Sequence, residues 1–144
     1  MVAIDNKKIM LVEDNPKDIE LTKRALIRAN IANTLVLAKD GVEAIEYLFS
    51  NSKTPNELPV VVLLDLKLPR IDGLEVLRRI RVEPRTKTLP VVILTSSNEE
   101  KDIISSYDLG ANSYIRKPVK FNDFADAIKQ LGLYWLVLNQ PPIA

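Results

Sequence analysis

Short apolar runs alternate along the chain with segments in which apolar residues recur every three to four positions. The runs cover residues 9–12, 35–38, 60–64, 91–94 and 113–115, and they predict five strands. The third and fourth runs are continuously apolar and rich in valine, which is typical of strands buried on both faces of a parallel sheet. Strict alternation of strands and helices predicts a doubly wound α/β fold with a five-stranded parallel sheet and five helices.

Capping residues predict where the helices begin. Asn15 precedes Pro16, a pair that favours a helix start, and Asp40 and Asp72 each precede a glutamate by three positions. Ser97 repeats that spacing with a glutamate and predicts the start of the fourth helix. The fifth helix is predicted by an apolar stripe at helical spacing, formed by Phe121, Phe124, Ile128, Leu131 and Trp135.

Composition narrows the classes of function. The 144 residues include 20 lysines and arginines against 19 aspartates and glutamates, so the net charge of +1 gives no reason to expect nucleic acid or an anionic membrane as a partner. The chain has no cysteine and no histidine, which excludes disulfides, thiolate or histidine metal sites and serine–histidine catalysis. No apolar run approaches the roughly 20 residues that span a bilayer. We expect one cytoplasmic domain over residues 1–144, with a core at about 7–131 and an apolar extension at 132–144.

Polar side chains follow the predicted strands. Glu13 and Asp14 follow the first strand, Asp65 follows the third, Thr95 and Ser96 follow the fourth, and Lys117 lies just past the fifth. In a doubly wound sheet the carboxyl ends of the strands form the site, so these side chains should converge there. Three adjacent carboxylates repel one another, and an all-oxygen ligand set favours Mg²⁺. The pattern predicts a phosphoryl-transfer site with Asp65 as nucleophile, and with Lys117 and Thr95 stabilising the transferred group.

Taken alone, these residues have simpler explanations. An isolated aspartate after a strand is usually a cap or turn residue, and an isolated lysine is usually a solvated surface group. Asp18, in the first turn of the first predicted helix, is assigned to the helix dipole rather than to the metal. The functional interpretation of Asp65 depends on the combination, because independent caps would not also supply a lysine.

The motifs resemble the receiver domains of bacterial response regulators over residues 7–131. They are LVEDN at 11–15, LLDLKLP at 63–69, DG at 72–73, LTS at 94–96 and YIRKP at 114–118. The resemblance implies the flavodoxin-like strand order 2-1-3-4-5, as in CheY-like proteins, and a sensor histidine kinase as phosphodonor. It also implies that Asp65 is the phosphoacceptor and that Glu13, Asp14 and the backbone carbonyl of Lys67 join it around Mg²⁺.

The same resemblance assigns the remaining roles. Thr95 and Tyr114 are the implied switch pair, and Lys117 is implied to contact the phosphoryl group, with a cis peptide bond between Lys117 and Pro118. The chain departs from the general pattern at Glu13, where many receivers carry a second aspartate. The longer carboxylate still reaches a metal, through a water molecule.

A finer resemblance concerns the ends of the chain. Asn15–Pro16 followed by Asp18, the stretches 40–49 and 106–109, and the aromatic end resemble single-domain regulators paired with bacterial phytochrome histidine kinases. The apolar segment 131–138 is too short to span a membrane and too apolar to lie in water, so it either folds back or enters another chain. The resemblance favours a homodimer, with Tyr134, Trp135 and Leu136 as interface candidates. The six residues that follow predict no attached output domain, so the output is expected from docking.

Three other functions fit the sequence less well. An aspartate-nucleophile phosphatase needs a second carboxylate two residues after the nucleophile, where this chain has Lys67. A nucleotide-binding domain would need a GxxxxGK[ST] or GxGxxG loop, which is absent from the sequence. A pseudo-receiver that binds partners without phosphorylation is disfavoured because every expected side chain is present. We expect a signalling protein rather than an enzyme, whose catalysis is limited to its own phosphoryl transfer and slow autodephosphorylation.

Overall fold

The described part of the molecule contains a five-stranded parallel sheet. The computed structural model describes residues 7–50, 57–97, 99–117, 120–135 and 139. The strands are β1 (Lys8–Val12), β2 (Thr34–Ala38), β3 (Val61–Leu64), β4 (Val91–Thr95) and β5 (Ser113–Arg116). They pair in the order β2-β1-β3-β4-β5. This confirms the predicted fold and places the reversal of strand order at β1 and β3, where ligands bind in such sheets.

Helices connect the strands in strict alternation. They are α1 (Pro16–Arg28), α2 (Gly41–Leu48), α3 (Gly73–Val82), α4 (Glu100–Asp108) and α5 (Phe121–Leu133). None of the helices within the described residues combines the length and apolar character that crossing a membrane requires.

Three of the predicted helix starts are confirmed and one is wrong. Asn15, Asp40 and Asp72 each accept hydrogen bonds from backbone N–H groups of the following turn. The fourth helix is not capped by Ser97, because α4 begins after Glu99, which makes no side-chain capping bond. The Ser97 hydroxyl accepts from the Glu99 N–H at 3.3 Å, ahead of the helix, and donates to a carboxylate inside α4 at 2.6 Å.

The core consists of one apolar layer on each face of the sheet. Met10 and Val12 of β1 face α2 and α3, whereas Ile9 and Leu11 face α1 and α5, as the two-residue period of a strand requires. The stripe predicted for α5 packs into the second layer, with Phe124 and Ile128 buried and Phe121, Leu131 and Trp135 partly buried. Because apolar side chains cover both faces of the sheet, polar side chains that could form a site lie at the ends of the strands.

Candidate functional site

Three carboxylates meet at the carboxyl ends of β1 and β3. Oxygen atoms of Glu13, Asp14 and Asp65 all lie within 4.8 Å of one another. The backbone fixes this convergence, since the Asp65 N–H donates to the Val12 carbonyl at 3.0 Å and the Glu13 N–H donates to the Ala38 carbonyl at 3.0 Å. Glu13 and Asp65 are buried and Asp14 is exposed. The sequence prediction that these three side chains cluster is confirmed.

The donor set fits a hard divalent cation. All three side chains offer carboxylate oxygens, and such oxygens are the ligands that Mg²⁺ and Mn²⁺ prefer. Carboxylates this close repel one another, and a cation between them would remove that repulsion. The N–H of Lys67 donates to Asp65 Oδ1 at 3.4 Å, which keeps the Lys67 backbone beside the cluster.

Lys117 reaches the cluster from the end of β5. Its Nζ donates to Glu13 Oε1 at 2.6 Å and to Asp18 Oδ2 at 2.8 Å, and lies 3.9 Å from Asp65 Oδ2. Asp18 therefore does more than sit in the first turn of α1, because it binds the lysine of the site. The structure adds this contact to the predicted role of Asp18 at the helix dipole. The contact joins residues 99 positions apart, and local sequence carries no signal for it.

Burial and neighbouring charges shift the pKa values of Glu13 and Lys117. Burial raises the pKa of Glu13 to about 7; the Lys117 ammonium opposes this rise and the Asp65 carboxylate adds to it. Burial by itself would lower the pKa of Lys117, but its hydrogen bonds to Asp18 and Glu13 and the charge on Asp65 raise it overall. Lys117 is therefore a permanent cation beside a carboxylate whose charge is costly to bury.

A glycine allows α3 to approach the Asp65 backbone. A Cβ atom at Gly73 would lie 2.2 Å from the Asp65 carbonyl oxygen and 2.6 Å from the Leu66 Cα. The Gly73 N–H donates to the Leu66 carbonyl at 2.9 Å. The first residue of α3 therefore holds the chain segment that carries Asp65, and any side chain at position 73 would displace it.

The two predicted switch residues share a hydrogen-bonding partner. Thr95 is fully buried, and its Oγ1 accepts a hydrogen bond from the Ser97 N–H at 3.4 Å. The Tyr114 hydroxyl donates to the Ser97 carbonyl at 2.9 Å, and burial raises the pKa of Tyr114, so the hydroxyl keeps its proton. The structure thus connects Thr95 and Tyr114 through Ser97, while their switching role stays a prediction.

Sequence reasoning missed a buried carboxylate beside this connection. Asp102, in the first turn of α4, is 7% exposed and accepts the 2.6 Å hydrogen bond from the Ser97 hydroxyl. Its Oδ2 also lies 3.6 Å from Lys67 Nζ. The available signal was a charged residue at a position that helical periodicity places on the inner face of α4.

The remaining predicted residues lie near the end of the chain. Tyr134 is exposed and packs edge to face against Trp135, with ring centroids 4.7 Å apart. Both rings line a shallow groove with Ile115 of β5 and Leu131 of α5. The predictions for Pro118 and Leu136 lie outside the described residues.

Two curated relatives match nearly the whole chain. The response regulator Rcp1 of Synechocystis is 38% identical over 143 residues, covering 96% of this chain and 95% of Rcp1. The probable methanogenesis regulatory protein FilR2 of Methanothrix harundinacea is 38% identical over 134 residues, covering 93% of this chain and 86% of FilR2.

Solved structures agree with these sequence relatives. The phosphorylated cyanobacterial phytochrome response regulator RcpA has a TM-score of 0.83 and 39% identity, covering 96% of this chain and 99% of RcpA. The Mn²⁺-bound form of Rcp1 has a TM-score of 0.81 and 36% identity, covering 95% of this chain and 99% of that chain. Residues 9–129 match the family model of the response regulator receiver domain. With its parallel sheet in the order 2-1-3-4-5 and its acidic cluster at the strand ends, this chain belongs to the response regulator receiver domain family of two-component signalling.

Proposed function

We propose that Asp65 accepts a phosphoryl group from a phosphohistidine of a sensor histidine kinase, and that the modified protein signals through a change of shape. The observation that carries this proposal is the position of Asp65, within 4.8 Å of the other two carboxylates and 3.9 Å from the Lys117 ammonium. Family membership supports the same reaction. The protein would be a single signalling domain rather than an enzyme acting on other substrates.

The chain's own residues account for the transfer. An Asp65 carboxylate oxygen attacks phosphorus, the bond between phosphorus and the imidazole nitrogen breaks, and the imidazole leaves with the electron pair and is protonated. The Lys117 ammonium balances the negative charge of the transferred group, and the Thr95 hydroxyl donates to one of its oxygens. Lys117 changes partner in this step, since its hydrogen bonds go to Glu13 and Asp18 beforehand.

The acidic cluster would hold Mg²⁺ through Glu13, Asp14, Asp65 and the Lys67 backbone carbonyl. When bound, the ion supplies positive charge that offsets repulsion between these carboxylates and an incoming phosphoryl group. The proposal is supported by the all-oxygen donor set and by the Mn²⁺-bound structure of the relative Rcp1.

The proposed output is a docking surface that differs between the two forms. Thr95 moves toward the acyl phosphate and Tyr114 turns inward, which biases a two-state surface near α4 and α5. A bacterial phytochrome kinase is the proposed phosphodonor, by similarity to RcpA, a phytochrome response regulator.

A homodimer through the end of α5 is also proposed. The exposed ring of Tyr134 and the neighbouring Trp135 border an apolar groove with Ile115 and Leu131, and a second copy would cover these side chains. In sedimentation equilibrium, Tyr134→Ser should weaken dimerisation. Tyr107→Ser, which removes a similarly exposed tyrosine from α4, should leave it unchanged. A monomeric wild type would contradict the proposal.

The phosphorylation itself is tested by intact-protein mass spectrometry. After incubation with acetyl phosphate and Mg²⁺, wild type should carry one phosphate that is labile to hydroxylamine, and Asp65→Asn should carry none. The exposed capping residue Asp72 supplies the control, because Asp72→Asn keeps a good cap and should be phosphorylated like wild type. A stable phosphate on Asp65→Asn would overturn the assignment.

A further inference from the structure

The turn that follows β4, residues 95–97 (the β4 turn), is held at Ser97 by four hydrogen bonds. The Ser97 hydroxyl donates to Asp102 Oδ2 at 2.6 Å and accepts from the Glu99 N–H at 3.3 Å, its carbonyl accepts from the Tyr114 hydroxyl at 2.9 Å, and its N–H donates to Thr95 Oγ1 at 3.4 Å. Ser97 is buried, at 8% exposure. One residue therefore connects α4, the predicted switch tyrosine and the threonine of the site.

The bond to Asp102 is the strongest of these connections. A buried carboxylate is costly unless it is paired, and a hydroxyl donating to a charged oxygen makes a stronger bond than a neutral pair does. Asp102 lies in the first turn of α4, where the helix dipole favours negative charge. The Lys67 ammonium lies 3.6 Å away but its side chain is 63% exposed, so it contributes less. Asp102 thus fixes the Ser97 side chain to the start of α4.

This attachment would oppose the movement of Thr95 in the proposed switch. There the Thr95 hydroxyl moves toward a phosphoryl oxygen on Asp65, whereas in this structure the β4 turn that carries Thr95 is tied to α4 through Ser97. We infer that Asp102 is a positioning residue that stabilises the resting form of the β4 turn and so lowers the affinity of the site for a phosphoryl group. The inference rests on the proposed function, because it concerns the group that Asp65 accepts.

The experiment removes the carboxylate and measures binding of a phosphoryl analogue. Beryllofluoride is titrated with excess Mg²⁺ into wild type, Asp102→Ala and Glu100→Ala, and nitrogen-15 NMR of the backbone amides reports half-saturation. Glu100 is the matched control, since it is exposed in the same first turn of α4 and its removal takes away the same charge. Asp102→Ala should half-saturate at roughly fivefold lower beryllofluoride, a typical coupling between two sites, and Glu100→Ala should match wild type.

Three further variants distinguish a positioning role of Asp102 from a general loss of stability. Ser97→Ala removes the other partner of the same bond and should also bind beryllofluoride more tightly, while the double variant with Asp102→Ala should add nothing beyond either single change. Asp102→Asn keeps an oxygen that accepts from the Ser97 hydroxyl, so its gain should be smaller than that of Asp102→Ala. A residue that merely stabilises the fold would give neither the gain nor the non-additivity.

The outcomes are distinct. Unchanged or weaker binding by Asp102→Ala and Ser97→Ala overturns the inference, as does an equal gain in Glu100→Ala. If thermal unfolding shows that Asp102→Ala does not fold, Ser97→Ala decides alone, because it removes only a hydroxyl. Wild type that binds no beryllofluoride refutes the proposed function and the inference together. Wild type that binds it with both variants unchanged refutes the inference alone.

Discussion

The two ends of the sheet each hold a cation, a buried one at the carboxyl end and a partly buried one at the amino end, but they balance its charge differently. At the carboxyl end, Glu13, Asp18 and Asp65 all lie within 4 Å of a single ammonium, that of Lys117. At the amino end, the Arg81 guanidinium faces neutral acceptors, including the carbonyl oxygens of Gly110 and Leu89, at 2.7 Å each. The carboxyl end carries surplus negative charge and the amino end does not.

The amino end is completed by local polar groups. Asn112 Oδ1 accepts from Arg81 at 3.1 Å and from the Val91 N–H at 2.9 Å, and the fully buried Thr86 hydroxyl donates to the Ile80 carbonyl at 2.7 Å. These bonds tie the end of α3 to the starts of β4 and β5, where no chemistry is proposed. The sheet thus has a stabilising network of neutral acceptors at its amino end and surplus negative charge at its carboxyl end, where phosphorylation is proposed.

Removing the shared cation should have the largest effect on stability. Lys117→Met leaves the buried Glu13 carboxylate without its counter-charge, and the metal-free protein should lose about 3 kcal/mol of unfolding free energy. Urea denaturation at pH 7.5 measures the loss. Lys120→Met, at the exposed residue just before α5, should leave the midpoint near that of wild type. An unchanged midpoint for Lys117→Met would contradict the claim that the Lys117 ammonium stabilises the carboxyl end of the sheet.

Removing the Arg81 hydrogen bonds at the amino end of the sheet should lower the free energy of unfolding but leave phosphorylation unchanged. Arg81→Met leaves the carbonyl oxygens of Gly110 and Leu89 without their donor and should cost about 2 kcal/mol, measured in the same denaturation. The extent of phosphorylation by acetyl phosphate should stay at the wild-type value. Arg78→Met, which removes an exposed arginine of the same helix, should cost less. A phosphorylation defect in folded Arg81→Met would show that the two ends are not independent.

Removing one surplus charge should stabilise the protein. Asp65→Asn keeps the shape of the side chain and ends its repulsion with Glu13 and Asp14, so the metal-free protein should gain about 1 kcal/mol. Adding Mg²⁺ should then stabilise wild type more than the variant. Asp72→Asn, the exposed cap of α3, is the matched control and should change neither value. Destabilisation by Asp65→Asn would disprove the claim of surplus charge.

The smallest expected effect concerns the carboxylate of Glu75 on the surface of α3, away from the two charged sites compared above. Hydrogen bonds from Arg78 and Arg79 lower the pKa of Glu75 to about 2. A carboxylate whose pKa is lowered on folding adds stability above its usual pKa of 4.5 and loses it as the pH falls toward 2. Glu75→Gln should therefore melt slightly below wild type at pH 6, and the gap should close between pH 4.5 and 2. A gap independent of pH would exclude this ion pair as its cause.

Local sequence predicted the parts of the fold that depend on local physics. Apolar runs predicted the strands to within one residue at either end, since burial on both faces of the sheet admits only apolar side chains. Asn15, Asp40 and Asp72 predicted helix starts because each bonds within its own turn. The cluster of Glu13, Asp14 and Asp65 followed from topology, because adjacent parallel strands bring their carboxyl ends together.

The missed features depend on competition between partners. Ser97 has the spacing of a capping residue, but its hydroxyl oxygen accepts from the Glu99 N–H ahead of α4, and its proton goes to the buried Asp102 carboxylate. Lys117 lies 1.3 Å nearer to Glu13 than to Asp65, and it also binds Asp18. Which partner each side chain bonds depends on distances in the folded molecule. Contacts between residues far apart in sequence leave no local sequence pattern.

Chemical trapping of the acyl phosphate tests the central claim most directly. Borohydride reduces an aspartyl phosphate to homoserine, so wild type treated with acetyl phosphate and Mg²⁺ and then with borohydride should show homoserine in place of Asp65 by peptide mass spectrometry. Protein without acetyl phosphate should keep aspartate at that position. Homoserine at position 14 or 72 with aspartate intact at 65 would contradict the account, as would unmodified protein under conditions that phosphorylate a known receiver domain.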